Sequence, residues 1–143
     1  MMDYRHRISL RLRGGIFDPD LVTDILGLEP TKTIKFSEKL GASFSSKKSI
    51  WYLREPENSK PQEEFEKQWK RLYAKIDGLQ QNFEDVRREF PNTHFALTIA
   101  IDAIKYIPGI VISAETLQQM AEFGITLDID IMNYLEDEDD EAN

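Results

Sequence analysis

Cysteine is absent from the 143 residues, which excludes disulfides, thiolate metal sites and cysteine nucleophiles. No apolar run approaches the ~20 residues that a membrane-spanning helix needs. The first residues also lack the apolar stretch that is typical of a signal peptide. We therefore expect a cytoplasmic protein that does not enter a membrane.

Sequence motifs of catalysis and phosphate binding are missing as well. The chain has no Gly-x-x-x-x-Gly-Lys-Ser/Thr, no Gly-x-Gly-x-x-Gly and no Gly-x-Ser-x-Gly segment. Its only histidines are His6 and His94, and a metal site at either one would need further ligands close by. The sequence thus predicts no metal, no cofactor and no catalytic residue, and it does not predict an enzyme.

Charge is distributed unevenly along the chain. The formal net charge is −8, and residues 136–141 form an unbroken run of six carboxylates, which leaves −2 for the rest. Because such a run repels itself, we expect one α+β domain over residues 1–135 and a disordered acidic tail over 136–143. The tail either aids solubility or mimics nucleic acid toward a basic partner. The negative charge argues against nucleic acid as a ligand.

Alternation of apolar and polar residues predicts the strands. Residues 4–13, 94–102 and 125–132 each place apolar side chains at one parity and polar side chains at the other, as half-buried strands do. Residues 50–54 are rich in aromatic and β-branched side chains, which also favour a strand. Two shorter candidates are residues 33–36 and 110–112.

Capping residues and helical spacing predict the helices. An aspartate followed by proline opens a helix over residues 19–26, and a glycine ends it. Apolar residues recur at intervals of four and three over residues 65–90, which predicts a long helix with a break near Gly78. A capping serine and a terminal glycine enclose a last helix over residues 114–123.

The order of elements is strand, helix, strands, long helix, strand, helix, strand. Each alternating strand has one polar face, whereas the strands of a parallel sheet covered on both sides read as continuous apolar runs. The sequence therefore predicts an α+β two-layer sandwich with a mostly antiparallel sheet, helices on one face and a ferredoxin-like arrangement.

Four short segments, in this order, resemble a family of bacterial proteins. They are residues 8–12 (ISLRL), 26–31 (LGLEPT), 51–53 (WYL) and 124–131 (GITLDIDI). Over nearly its whole length the chain is similar to the family known as domain of unknown function 4279. The resemblance implies a small cytoplasmic bacterial protein, and it brings no established activity, cofactor or catalytic residue.

The polar sides of three strands form a candidate binding surface. If the first strand, the strand over residues 94–102 and the last strand are neighbours, small residues floor a shallow groove between arginines and aspartates. The side chains involved are Arg5, Arg7, Arg11, Arg13, Ala96, Thr98, Ala100, Asp128 and Asp130. Arginine forks suit carboxylates and phosphates. We expect binding of a protein partner or self-association through Arg7, Arg11, Thr98, Asp128 and Asp130. The same residues also fit a solvated sheet face with cross-strand ion pairs.

Trp51 and Tyr52 are adjacent in a strand, so their side chains face opposite ways. We expect one of them in the core, and we include Trp51 among the binding residues because a pocket near residues 104–107 would suit a small ligand. The main hypothesis is a non-catalytic protein-interaction module. Its alternatives are a small-ligand-binding protein and an immunity-type inhibitor of a basic toxin.

Overall fold

The computed structural model describes residues 4–36, 49–54 and 63–135, which contain five strands and four helices. In chain order the elements are β1 (Tyr4–Arg13), α1 (Pro19–Leu26), β2 (Lys32–Ile34), β3 (Ile50–Arg54), α2 (Phe65–Ile76), α3 (Gln80–Glu89), β4 (His94–Ala103), α4 (Ala114–Glu122) and β5 (Ile125–Asn133). The acidic tail predicted over residues 136–143 lies outside the described residues.

The strands form one sheet in the order β2–β3–β1–β4–β5. β1 lies at its centre, where it pairs antiparallel with β3 and, over its full length, with β4; β2 pairs antiparallel with β3. β5 is parallel to β4, and α4 lies in the crossover between them. The sheet is therefore mixed, and the mostly antiparallel, ferredoxin-like arrangement expected from the sequence is not confirmed. Alternation shows that one face of a strand is covered, but it does not show the direction of the neighbouring strand.

The apolar parity of the long strands faces a single layer of helices. Leu10 of β1, Leu53 of β3 and Leu97 of β4 follow one another across the sheet and are all buried. Each of the four helices contributes buried side chains to the same cluster, among them Val22 and Phe83. The core thus lies between the sheet and the helices, and the opposite side of the sheet is the open face.

The long helical stripe is divided in two, as the sequence predicted. α2 ends at Ile76, and Gly78 adopts a φ of 87°, a left-handed conformation that glycine reaches without steric cost. α3 then begins at Gln80. Leu72 before the break and Phe83 after it are both fully buried. The break therefore redirects the chain while both halves keep their apolar sides on the core.

Both helix caps proposed from the sequence are present, whereas one short strand is not. The side chains of Asp18 and Ser113 each accept a backbone N–H from the first turn of the helix that follows. Residues 110–112, predicted as a strand, instead belong to the connection between β4 and α4. Ile110 and Ile112 pack against the core from this connection. Their burial explains why the segment has the apolar, β-branched composition of a strand.

Candidate functional site

Strand register brings the predicted polar residues together on the open face. Arg7 pairs with Ala100, which in turn lies beside Asp130, and Thr98 lies beside Asp128. Five of the residues predicted to bind share this surface: Arg7, Arg11, Thr98, Asp128 and Asp130. They meet because β1, β4 and β5 are successive strands of the sheet.

Small side chains form the floor of the open face. Ser9, Ala96 and Thr98 are only 5%, 1% and 4% exposed, although they point away from the helices. Longer neighbours lie over two of them: Arg11 Nε donates to Ser9 Oγ at 3.0 Å, and Arg13 Nη2 donates to Thr98 Oγ1 at 3.2 Å. The arginine side chains are therefore held against the sheet.

Two arginines of β1 are neutralised by carboxylates. Arg5 donates from Nε at 2.9 Å and from Nη2 at 2.6 Å to Oδ2 of Asp102, its neighbour on β4. Arg13 Nη2 lies 2.8 Å from Oδ2 of Asp128. Both arginine side chains are about two fifths exposed, so each pair contributes about 1 kcal/mol or less. This part of the surface fits a solvated sheet face with cross-strand ion pairs.

Three other arginines of the open face form no ion pair within the described part of the chain. Arg7 and Arg11 flank Ser9 on β1, and Arg54 of β3 lies opposite Ser9. The guanidinium carbons of Arg11 and Arg54 lie 4.8 and 5.4 Å from the ring centre of Tyr52. These distances are within the range of cation–π attraction. We term Arg7, Arg11 and Arg54 the arginine group.

Positive charge is crowded around Arg11. Burial lowers the pKa of its guanidinium, and the charges of Arg13 and Arg54 lower it further, while Tyr52 and Asp128 act in the opposite direction. Arginine stays protonated in proteins in spite of such a shift. Arg11 is therefore a partly buried cation with two other guanidinium groups close by.

The carboxylates of the open face lie near the β5 edge of the sheet, away from the arginine group. Asp128 and Asp130 belong to β5 at one edge of the sheet, whereas the arginine group belongs to β1 and β3. Asp130 is exposed, and Ala100 separates it from Arg7 in the register. The open face is thus divided into a cationic part and an anionic part.

Trp51 lies apart from the other residues predicted to bind. Its side chain is fully buried on the helical side of the sheet, where Nε1 donates to Thr23 Oγ1 at 3.1 Å. Tyr52 is the residue of this pair on the open face. Tyr52 and Arg54 were missed as site residues, although both have the parity opposite to that of Trp51. That parity indicates that Tyr52 and Arg54 share a face, but the alignment of β3 with β1 decides that this face is the open one.

The pocket expected near both Trp51 and residues 104–107 does not form. Trp51 pairs with Leu12, whereas Ala103, just before the loop, pairs with Tyr4. Leu12 and Tyr4 are eight positions apart along β1, a distance of about 27 Å. The two halves of the predicted pocket therefore lie at opposite ends of β1.

A cavity of about 370 Å³ does open at the Trp51 end of the sheet. It lies between the ends of β1 and β3, and its lining includes Arg11, Arg13, Ser49, Trp51 and Tyr52. Arg11, which forms no ion pair among the described residues, supplies a guanidinium group that suits an anion at this opening. The cavity is thus continuous with the cationic part of the open face.

The described residues contain neither a metal-binding cluster nor a membrane-spanning helix. Among these residues, no group of three or more His, Asp or Glu side chains is placed to hold a metal ion. None of the described helices is long and apolar enough to cross a membrane. His6 is buried, with Nδ1 3.1 Å from Gln68 Oε1. This histidine therefore has a partner within the core.

A comparison with known protein families matches residues 4–134 to the family described as Domain of unknown function (DUF4279). The match includes all nine helices and strands of the described residues. Comparisons with curated proteins and with solved structures found no match. The resemblance stated from four short segments is confirmed, and the chain belongs to the DUF4279 family.

Proposed function

We propose that this protein is a non-catalytic interaction module that binds an acidic protein partner through the open face of its sheet. The observation that carries the proposal is the arginine group, whose three guanidinium groups have no carboxylate partner among the described residues. Complementary charge steers association and selects partners. Carboxylates of an acidic segment would supply the negative charges that could pair with these three guanidinium groups.

Two members of the arginine group, Arg11 and Arg54, are held in position before any partner binds. Ser9 accepts a hydrogen bond from Arg11, and the Tyr52 ring lies within cation–π range of both Arg11 and Arg54. Side chains that are already ordered lose less conformational entropy on binding. Each planar guanidinium can donate two parallel hydrogen bonds to one carboxylate. An extended acidic segment lying along β1 would meet Arg7 and Arg11 roughly 14 Å apart.

The test measures binding of a peptide of about ten glutamates to the full chain and to the double variant Arg7→Ser/Arg11→Ser. We expect about a tenfold loss of affinity at low ionic strength, because two charge-assisted contacts are removed. The melting temperature should stay nearly unchanged, since neither arginine belongs to the apolar core.

A matched control removes two positive charges elsewhere. Lys75→Ser/Arg88→Ser alters exposed side chains of α2 and α3 and should retain the affinity of the unaltered chain. Equal loss of affinity in both double variants would show that the peptide responds only to net charge. A loss of several kcal/mol of stability in the Arg7/Arg11 variant would show that these arginines are structural. Either result contradicts the proposal.

A small anionic ligand is a second candidate, favoured by the cavity of about 370 Å³ beside Arg11 and Arg13. A thermal-shift screen with inorganic phosphate and small carboxylates tests it, because a ligand that binds only the folded state raises the melting temperature. No rise with any compound would leave this candidate without support.

Two further hypotheses from the sequence stay predictions. One is that the protein is an immunity-type inhibitor of a basic toxin, and the other is that it is bacterial and cytoplasmic.

A further inference from the structure

β5 is a long edge strand of nine residues. Within residues 4–36, 49–54 and 63–135, no strand pairs with its outer side. Alternate N–H and C=O groups of such a strand point away from the sheet and can bind another chain. β5 contains no proline, glycine or lysine, the residues that often prevent such pairing. The opposite edge strand, β2, has only three residues.

Exposed apolar side chains are concentrated in the C-terminal part of the described chain, and several of them belong to β5. Nine large apolar side chains are exposed in the described residues, and eight of them fall within residues 106–134, which comprise α4, β5 and adjoining segments. Exposure rises along the helical side of β5, from 8% at Ile125 to 49% at Ile129 and 45% at Ile131. The second half of this strand therefore presents apolar side chains that the helical layer leaves partly uncovered.

The other side of β5 carries negative charge. Asp128 and Asp130 point to the open face, and Asp128 forms an ion pair with Arg13. Asp130 is exposed and forms no ion pair within the described residues. A strand added beside β5 would thus meet isoleucines on one face and carboxylates on the other. Cross-strand pairs favour matched apolar side chains and opposite charges.

We propose that β5 binds an extended segment of another protein in which basic and apolar residues alternate, and that this segment becomes a sixth strand of the sheet. The surface is distinct from the arginine group, so this inference does not rest on the proposed function. Apolar contacts and backbone hydrogen bonds would supply affinity, and Asp130 would select a basic side chain.

A second copy of the chain fits this edge poorly. In an antiparallel pair of β5 strands, a register that sets Ile129 opposite Ile129 or Ile131 of the copy sets Asp130 opposite Asp128 or Asp130 of the copy. Like charges directly opposite each other destabilise a strand pair. Charge therefore favours a basic partner over self-association.

The test uses a capped peptide of about eight residues in which lysine and valine alternate. On binding, we expect amide hydrogen exchange to slow at alternate residues of β5, because their outward N–H groups become hydrogen-bonded. A glutamate–valine peptide should bind about tenfold more weakly, because its charges repel the carboxylates. A lysine–valine peptide methylated on alternate backbone nitrogens keeps its charge and should also lose about tenfold in affinity.

Variants of the full chain separate strand addition from attraction by charge alone. Ile131→Lys should weaken lysine–valine binding by about tenfold, since it adds like charge and removes an apolar contact at the edge. The matched control, Val111→Lys, adds the same charge to a side chain that is 80% exposed in the connection before α4 and should bind normally. Arg7→Ser/Arg11→Ser should also bind this peptide normally, so failure here and failure of the proposed function are distinguishable.

Three results would overturn this inference. The methylated peptide could bind as tightly as the unmethylated one, which would leave no role for backbone pairing. The slowed amides could lie outside β5. The free protein could sediment as a dimer with the outward β5 amides already protected, which would make a second copy the occupant of this edge.

Discussion

Gly14 lies at a turn where the backbone leaves no room for a side chain. Its φ is 90°, and a Cβ atom there would lie 2.5 Å from the carbonyl oxygen of Asn92. The left-handed backbone and the steric clash both oppose alanine. We therefore expect Gly14→Ala to lower the free energy of unfolding by about 2 kcal/mol or more, as measured by urea denaturation.

The control for this substitution is Gly109→Ala. No atom lies within 4 Å of a Cβ built at Gly109. Its free energy of unfolding should be unchanged or slightly raised, because alanine reduces the freedom of the unfolded chain. Similar losses in the two variants would contradict the steric explanation for Gly14.

His6 makes stability depend on pH near neutrality. Burial lowers the pKa of its imidazole, and the smaller opposing effects of the Gln68 hydrogen bond and the Glu63 charge do not reverse this. As pH falls, the unfolded chain, whose histidine pKa is near 6.5, binds the proton before the folded chain does. The free energy of unfolding should therefore decrease below about pH 6.5, as shown by urea denaturation at about pH 7.5 and pH 5.5.

Two measurements identify His6 as the source of this dependence. An NMR titration of the unaltered protein should give a pKa for His6 below 6.5. His94→Gln, which replaces an exposed histidine, should keep the decrease in stability between the two pH values. A His6 pKa at or above the ordinary value would refute the expectation.

The side chain of Glu66 connects α2 to the first turn of α4. This residue of α2 accepts hydrogen bonds from the backbone N–H of Ser113 and the hydroxyl of Thr116, at the start of α4. Burial would raise the pKa of the Glu66 carboxyl, but these hydrogen bonds outweigh it, and the pKa is lowered. We expect Glu66→Gln to cost about 1 kcal/mol of stability at neutral pH, measured by urea denaturation.

The pH dependence of that cost follows from the lowered pKa. A carboxyl group with a lowered pKa in the folded state stabilises above its ordinary pKa, and this stabilisation is lost as pH falls through the folded value. The difference between the unaltered chain and Glu66→Gln should therefore shrink below about pH 4.5. Glu84→Gln, on the exposed side of α3, is the control and should change stability by less than about 0.5 kcal/mol.

Helices and strands could be predicted from the sequence where the residue pattern depends on local backbone geometry alone. A continuous apolar stripe with Gly78 inside it predicted two helices on one surface, and the structure has α2 and α3. Residues 110–112 were misread because an apolar loop that packs on the core has the same composition as a short buried strand. Composition alone does not distinguish these two states.

At the scale of the whole molecule, strand parity predicted which arginines share a face, but not which strands adjoin or in which direction. Parity is a property of consecutive residues, whereas the parallel pairing of β4 and β5 depends on where the α4 crossover returns the chain. For the same reason the five residues of β3 did not show that Trp51 is buried and Tyr52 open. That choice depends on the alignment of β3 with β1.

The central position of β1 also determines when the sheet can form during synthesis. Arg5 and Asp102, which are bonded across β1 and β4, are 97 positions apart along the chain. A nascent chain cannot complete its middle strand pair until β4 has left the ribosome exit tunnel. Until then the edge of β1 that pairs with β4 stays exposed, even once β3 has covered the other edge, so the emerging polypeptide is open to mispairing, and a chaperone that shields its first segment would raise the yield of folded protein.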